Sequence, residues 1–97
     1  MADDEKVDLT DEITIYALST CMWCKKTKAL LDSKGIKYTC HHVNEMEGKE
    51  LEKVRAKVAE LNPARSYPTL QVEGKVIVGY KPDEIEKAVE ECLAKKR

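Results

Sequence analysis

The spacing of apolar residues changes several times along the chain, and each change marks an element. Residues 12–18, EITIYAL, are rich in β-branched and aromatic side chains and predict a strand. Ser19-Thr20 breaks that run. From Met22 to Lys34 the period turns helical, with Thr27, Leu30 and Leu31 on the side of Cys24. Gly35 fits a helix stop in the left-handed conformation, and IKYTCHHV, residues 36–43, predicts a second strand. Leu51, Val54, Val58 and Leu61 then recur at helical spacing until Asn62-Pro63 ends that helix. PTLQV, residues 68–72, and KVIVG, residues 75–79, predict a hairpin turning at Glu73-Gly74. Pro82 suits a first helical turn, and Asp83 and Glu84 favour its positive end. Ile85, Ala88, Val89, Cys92 and Leu93 form the apolar stripe of this last helix.

The order βαβ, helix, ββ, helix predicts an α/β fold. A right-handed βαβ unit makes the first two strands parallel, and the hairpin adds an antiparallel pair. The expectation is a four-stranded mixed sheet flanked by three helices, spanning residues 12–97. Residues 1–11 carry five acids against one lysine and predict a mobile acidic tail.

Length and charge narrow the function classes. At 97 residues the chain is one domain. Its 17 Lys and Arg nearly cancel 18 Asp and Glu, which argues against nucleic acid as a partner, since phosphates demand a basic surplus. No apolar run approaches the roughly 18 residues of a membrane span. The acidic N-terminus lacks the basic-then-apolar profile of a signal peptide. A cytoplasmic protein in a reducing compartment is therefore expected, and such a compartment keeps static disulfides open.

That leaves the stretch STCMWCKK, residues 19–26, with Cys21 and Cys24 two residues apart. Cys21 falls between the end of a strand and the start of its helix. Free N–H groups and a partial positive charge at a helix start favour thiolate over thiol. Lys25, Lys26 and Lys28 add a positive local field. Cys21 is thus the natural nucleophile of a disulfide exchange, and Cys24, a turn further in, is placed to resolve the mixed disulfide. A zinc site would need four ligands from Cys21, Cys24, Cys40, His41 and His42. His41 and His42 are adjacent on a strand and point to opposite faces, so at most one can join the cysteine pair. A c-type haem would need histidine where Lys25 stands. Cys92, on an apolar stripe, and Cys40, beside Tyr38 and His42 on one strand face, read as core or half-core thiols.

Cys-x-x-Cys at the first strand–helix junction, YPTL before a hairpin and GYKPDEI opening the last helix together resemble the glutaredoxin branch of the thioredoxin superfamily. The resemblance covers nearly everything from Glu12 onward. It implies a thioredoxin-like fold and a thiol–disulfide oxidoreductase acting on protein disulfides or mixed disulfides. It also implies a cis peptide bond before Pro68, with the backbone of Tyr67 pairing with the substrate chain. Family members usually carry Pro-Tyr between the cysteines, a basic residue three before the first, and paired glycines before the last helix. Here Met22-Trp23, Leu18 and Gly79-Tyr80 occupy those places. Arg65 is then the candidate contact for a glutathione carboxylate, and Met22, Trp23 and Tyr80 form an apolar lip for the partner. GYKPDEI and the non-proline middle pair also resemble the NrdH-type redoxins, which take electrons from thioredoxin reductase and pass them to ribonucleotide reductase. Glutathione and thioredoxin reductase are thus both candidate electron sources, and a monomer with no bound cofactor is expected. The resemblance leaves one alternative class: a module holding zinc, or a glutathione-ligated iron–sulfur cluster shared between protomers, through the same cysteines.

Overall fold

The computed structural model describes residues 7–64 and 66–96. Its elements run β1 (Val7–Asp8), β2 (Ile13–Ala17), α1 (Met22–Ser33), β3 (Ile36–Lys37), β4 (Thr39–His42), a short 3-10 helix (Val43–Glu45), α2 (Gly48–Leu61), β5 (Thr69–Val72), β6 (Lys75–Val78) and α3 (Pro82–Lys96). The main sheet is four-stranded and mixed, in the order β4-β2-β5-β6. β2 pairs in parallel with β4 and antiparallel with β5, with Ile15 opposite both Cys40 and Leu70. The predicted mixed sheet with three helices is therefore the observed one.

Alternation along β2 sorts the helices onto two faces. Ile13, Ile15 and Ala17 join the larger core with Leu31 of α1 and with Ile85, Ala88, Val89, Cys92 and Leu93 of α3. Tyr16 points the other way, toward Val58 of α2 and Val43. Each large apolar side chain buried this way contributes about 1.5–3 kcal/mol of transfer free energy. The α3 stripe is buried as its periodicity predicts, whereas α2 buries only Val58 fully and leaves Leu51, Val54 and Leu61 half-buried.

Three boundaries differ from the sequence reading. Residues 7–11 of the predicted tail belong to the fold: β1 pairs in parallel with β3, and Leu9 is completely buried. The Leu9 N–H donates to the Lys37 carbonyl at 2.9 Å, and the Leu9 carbonyl accepts from Ile13 at 2.8 Å. Two apolar residues in a polar stretch give too weak a period to register, yet one of them reaches the core. Residues 1–6 lie outside the described residues. The predicted strand 36–43 is two strands: Ile36–Lys37 serves β1, Thr39–His42 serves β2, and Tyr38 turns its hydroxyl to Asp32 at 2.9 Å between them. Helix α1 ends at Ser33, one residue early, with Gly35 at φ 68 behind it.

Candidate active site

Strand β2 ends at Ala17, and the chain needs one turn, Leu18 to Cys21, before α1 begins. Cys21 caps that helix. Its backbone is extended, at φ -85 and ψ 122, and its Sγ accepts the Cys24 N–H at 3.3 Å. A thiol thus occupies the place where serine or aspartate usually satisfies the first free N–H groups. Cys21 is half-buried, whereas Cys24, on the inward face with Thr27 and Leu31, is 1% exposed.

The two thiols are driven apart in acidity. Burial pushes Cys21 up, but donation from the Cys24 thiol and from the Cys24 and Trp23 N–H groups outweighs it, leaving Cys21 below its ordinary 9.0. Burial pushes Cys24 to about 12, opposed by the Leu18 N–H, which reaches its sulfur at 3.5 Å, and reinforced by Cys21 and Cys40. The positive lysine field expected from the sequence is not what lowers Cys21. Lys28 turns away to His42, Nζ to Nε2 3.0 Å, and Lys26 lies 4.8 Å above the Trp23 ring. Hydrogen bonds at the helix start act at contact range, whereas exposed ammonium groups are screened by water.

Around the dithiol the structure gathers most of the predicted contacts. Met22 and Trp23, the two residues between the cysteines, are 66% and 53% exposed. Trp23 stacks on Tyr80, ring centroids 5.9 Å apart at 25°. Trp23, Tyr67, Pro68, Gly79 and Tyr80 line one shallow groove of about 260 Å³. The Tyr67–Pro68 peptide bond is cis, as the resemblance implies, and the Pro68 carbonyl accepts the Gly79 N–H at 2.9 Å. Gly79 sits at φ 85, a conformation that a side chain would strain. Leu18 packs toward Tyr16 and Val58. Arg65 lies outside the described residues.

One further residue holds the groove without any signal in the sequence pattern. Asn62, 4% exposed, donates from its amide to the Ser66 carbonyl at 3.1 Å and to the Thr69 hydroxyl at 3.2 Å; its oxygen accepts the Ala64 N–H. It therefore ties both ends of the loop that carries Tyr67 and Pro68. Asn62-Pro63 announces a helix stop in the sequence, but a stop signal says nothing of what the side chain then binds.

The histidines of the zinc alternative divide between the two faces of the sheet. His41 stacks on Tyr16, centroids 5.4 Å apart, while His42 lies with Cys40 on the opposite face, Nε2 to Sγ 3.8 Å. Among the described residues no three His, Cys, Asp or Glu side chains converge as a metal site would require. No helix there is long and apolar enough to cross a membrane.

Known proteins share this fold. A glutaredoxin family model matches residues 13–77, from β2 through β6. A glutaredoxin-like 8.6 kDa protein from a rubredoxin operon of Clostridium pasteurianum is 38% identical over 78 residues, covering 80% of this chain and 97% of that protein. Methanoredoxin of Methanosarcina acetivorans is 38% identical with a TM-score of 0.79, over 87% of this chain and 88% of that one. A glutaredoxin of Methanosarcina mazei Go1 is 41% identical with the same TM-score, over 87% and 82%. With its thioredoxin-like sheet, its capping Cys21 and its buried Cys24, the chain belongs to the glutaredoxin family.

Proposed function

We propose that the protein is a thiol–disulfide oxidoreductase that reduces protein disulfides or mixed disulfides through Cys21 and Cys24. The observation that carries this reading is the asymmetry of the pair: a half-exposed, hydrogen-bonded thiol of lowered pKa beside a buried one held near 12. The Cys21 thiolate attacks one sulfur of the substrate, forms a mixed disulfide and expels the other sulfur as a thiolate, which takes a proton from water. Cys21 has then lost its negative charge. Two of the influences that raise Cys24, the hydrogen bond to Cys21 and its charge, vanish with it. Cys24 ionises more readily at the moment it is needed. Its thiolate attacks Cys21 Sγ, releases the second substrate thiolate and leaves a Cys21–Cys24 disulfide. Two electrons have passed from protein to substrate.

Met22, Trp23 and Tyr80 supply apolar contact to the partner, and Tyr67, Pro68 and Gly79 give an extended chain a surface to lie along. Ribonucleotide reductase is one candidate protein substrate. Electrons return from glutathione or from thioredoxin reductase, in the reducing cytoplasm and with the protein acting as a monomer.

The test is reduction of insulin by catalytic amounts of protein, followed as NADPH loss. One arm holds thioredoxin reductase and the other glutathione with its reductase. Turnover in either arm supports the reading and names the reductant; turnover in neither overturns it. Cys21→Ser is expected to abolish turnover in both arms. Cys24→Ser is expected to abolish dithiol turnover and to accumulate a mixed disulfide at Cys21, visible by mass spectrometry.

A further inference from the structure

Asn44 lies in the 3-10 helix after β4, 25 residues from the turn that leads into Cys21. Its Oδ1 accepts the Ser19 N–H at 2.9 Å, and its Nδ2 donates to the Ser19 hydroxyl at 2.8 Å. The amide orientation is fixed by chemistry, because a backbone N–H can only donate and must face the oxygen. The base of this clamp is firm. Val43 beside it is buried against Tyr16 and Val58, and the Val43 carbonyl accepts the Met46 N–H. What it grips is the segment that holds the resolving thiol. The Leu18 N–H, next to Ser19, reaches Cys24 Sγ at 3.5 Å, and the Leu18 carbonyl accepts the Cys21 N–H at 3.2 Å.

We propose that Asn44 is a positioning residue for the second half of the exchange, holding the Leu18–Cys21 turn so that the Leu18 N–H stays on Cys24 sulfur. The two half-reactions draw on different donors. Attack by Cys21 draws on the Cys24 thiol and on the Cys24 and Trp23 N–H groups, all within α1 and none of them touched by Asn44. Resolution by Cys24 depends on a donor from the turn. That donor favours the Cys24 thiolate, the species that must form before the mixed disulfide can be broken. Loosening the turn therefore slows resolution while leaving attack alone.

The inference rests on the exchange reaction proposed above, and the experiment separates the two. Full-length wild-type, Asn44→Ala and Ser19→Ala proteins are reduced, mixed with a peptide disulfide and acid-quenched at intervals. Mass spectrometry then gives the rates at which the Cys21 mixed disulfide appears and decays. Asn44→Ala is expected to leave appearance within about twofold and to slow decay about fivefold, the size of one lost hydrogen bond. Ser19→Ala keeps the backbone contact to Oδ1, so its decay is expected to stay within about twofold of wild type. A melting temperature for each variant shows whether it folds. A lower melting temperature in Asn44→Ala with an unchanged decay rate would overturn the role, as would equal slowing of both steps. If wild type forms no mixed disulfide at all, the exchange reaction itself falls, and this role with it.

Discussion

Cys21 and Cys24 are the same side chain held in opposite states, and the cause of each state is local. Cys21 stands where backbone N–H groups have no helical carbonyl to meet, so a sulfur anion is welcome there. Cys24 stands one turn along, where burial disfavours any charge. Alkylation by iodoacetamide at pH 7 is therefore expected to modify Cys21 alone among the four cysteines, at a rate that levels off below pH 9. Equal labelling of Cys24 would contradict the asymmetry. Stability carries the same signature with a definite sign. Cys24 and Cys92 are raised to about 12 and about 11 by burial, from 9.0 in the unfolded chain. Their contributions are complete below pH 9 and are lost as pH rises through 9–12, because the unfolded thiols ionise first. Cys21 runs the opposite way: its contribution is present above 9.0 and is lost as pH falls through its lowered value. The urea midpoint of the reduced protein is thus expected to fall between pH 9 and 11, and to fall less in Cys24→Ser. A midpoint that held steady across that range would count against both burial assignments.

At the scale of elements, periodicity told most where one face of one helix meets one core. The α3 stripe from Ile85 to Leu93 and the Glu73-Gly74 hairpin were legible for that reason. What stayed hidden depends on a partner far along the chain. β1 has two residues, and its pairing exists only because α1 brings Ile36–Lys37 back beside it. Leu9→Ala tests that assignment: removing a completely buried leucine is expected to cost about 2–5 kcal/mol in denaturant titration. A mobile tail would give no change. Asn62 behaves alike, legible as a helix stop and illegible as the hub of the loop to Thr69. Asn62→Ala is expected to cost about 1–3 kcal/mol, because the buried Thr69 hydroxyl and the Ser66 carbonyl lose a donor.

The whole molecule makes one site from three stretches of chain: 21–24 at the start of α1, 67–68 before β5 and 79–80 after β6. The strand order β4-β2-β5-β6 carries them to the same end of the sheet. Each stretch could be recognised alone, since cysteine spacing, YP and GY are local signals. Their mutual packing could not, and neither could the destination of Lys28 and Lys26, whose long side chains found His42 and Trp23 rather than Cys21. Trp23→Ala removes half of the stacked pair beside the groove. It is expected to raise KM for a protein disulfide by about tenfold, the range of an exposed aromatic anchor, and to leave kcat for a small aromatic disulfide within about twofold. An unchanged KM would take Trp23 out of the docking surface.

Trp23 is also the only tryptophan of the chain, next to the capping cysteine and stacked on Tyr80. Indole emission responds to a nearby disulfide and to loss of water, so the protein reports on itself. One wavelength follows oxidation of the dithiol in real time, and a shift in its colour marks the arrival of a partner. Neither readout needs a label, a second tryptophan to subtract or any change to the molecule.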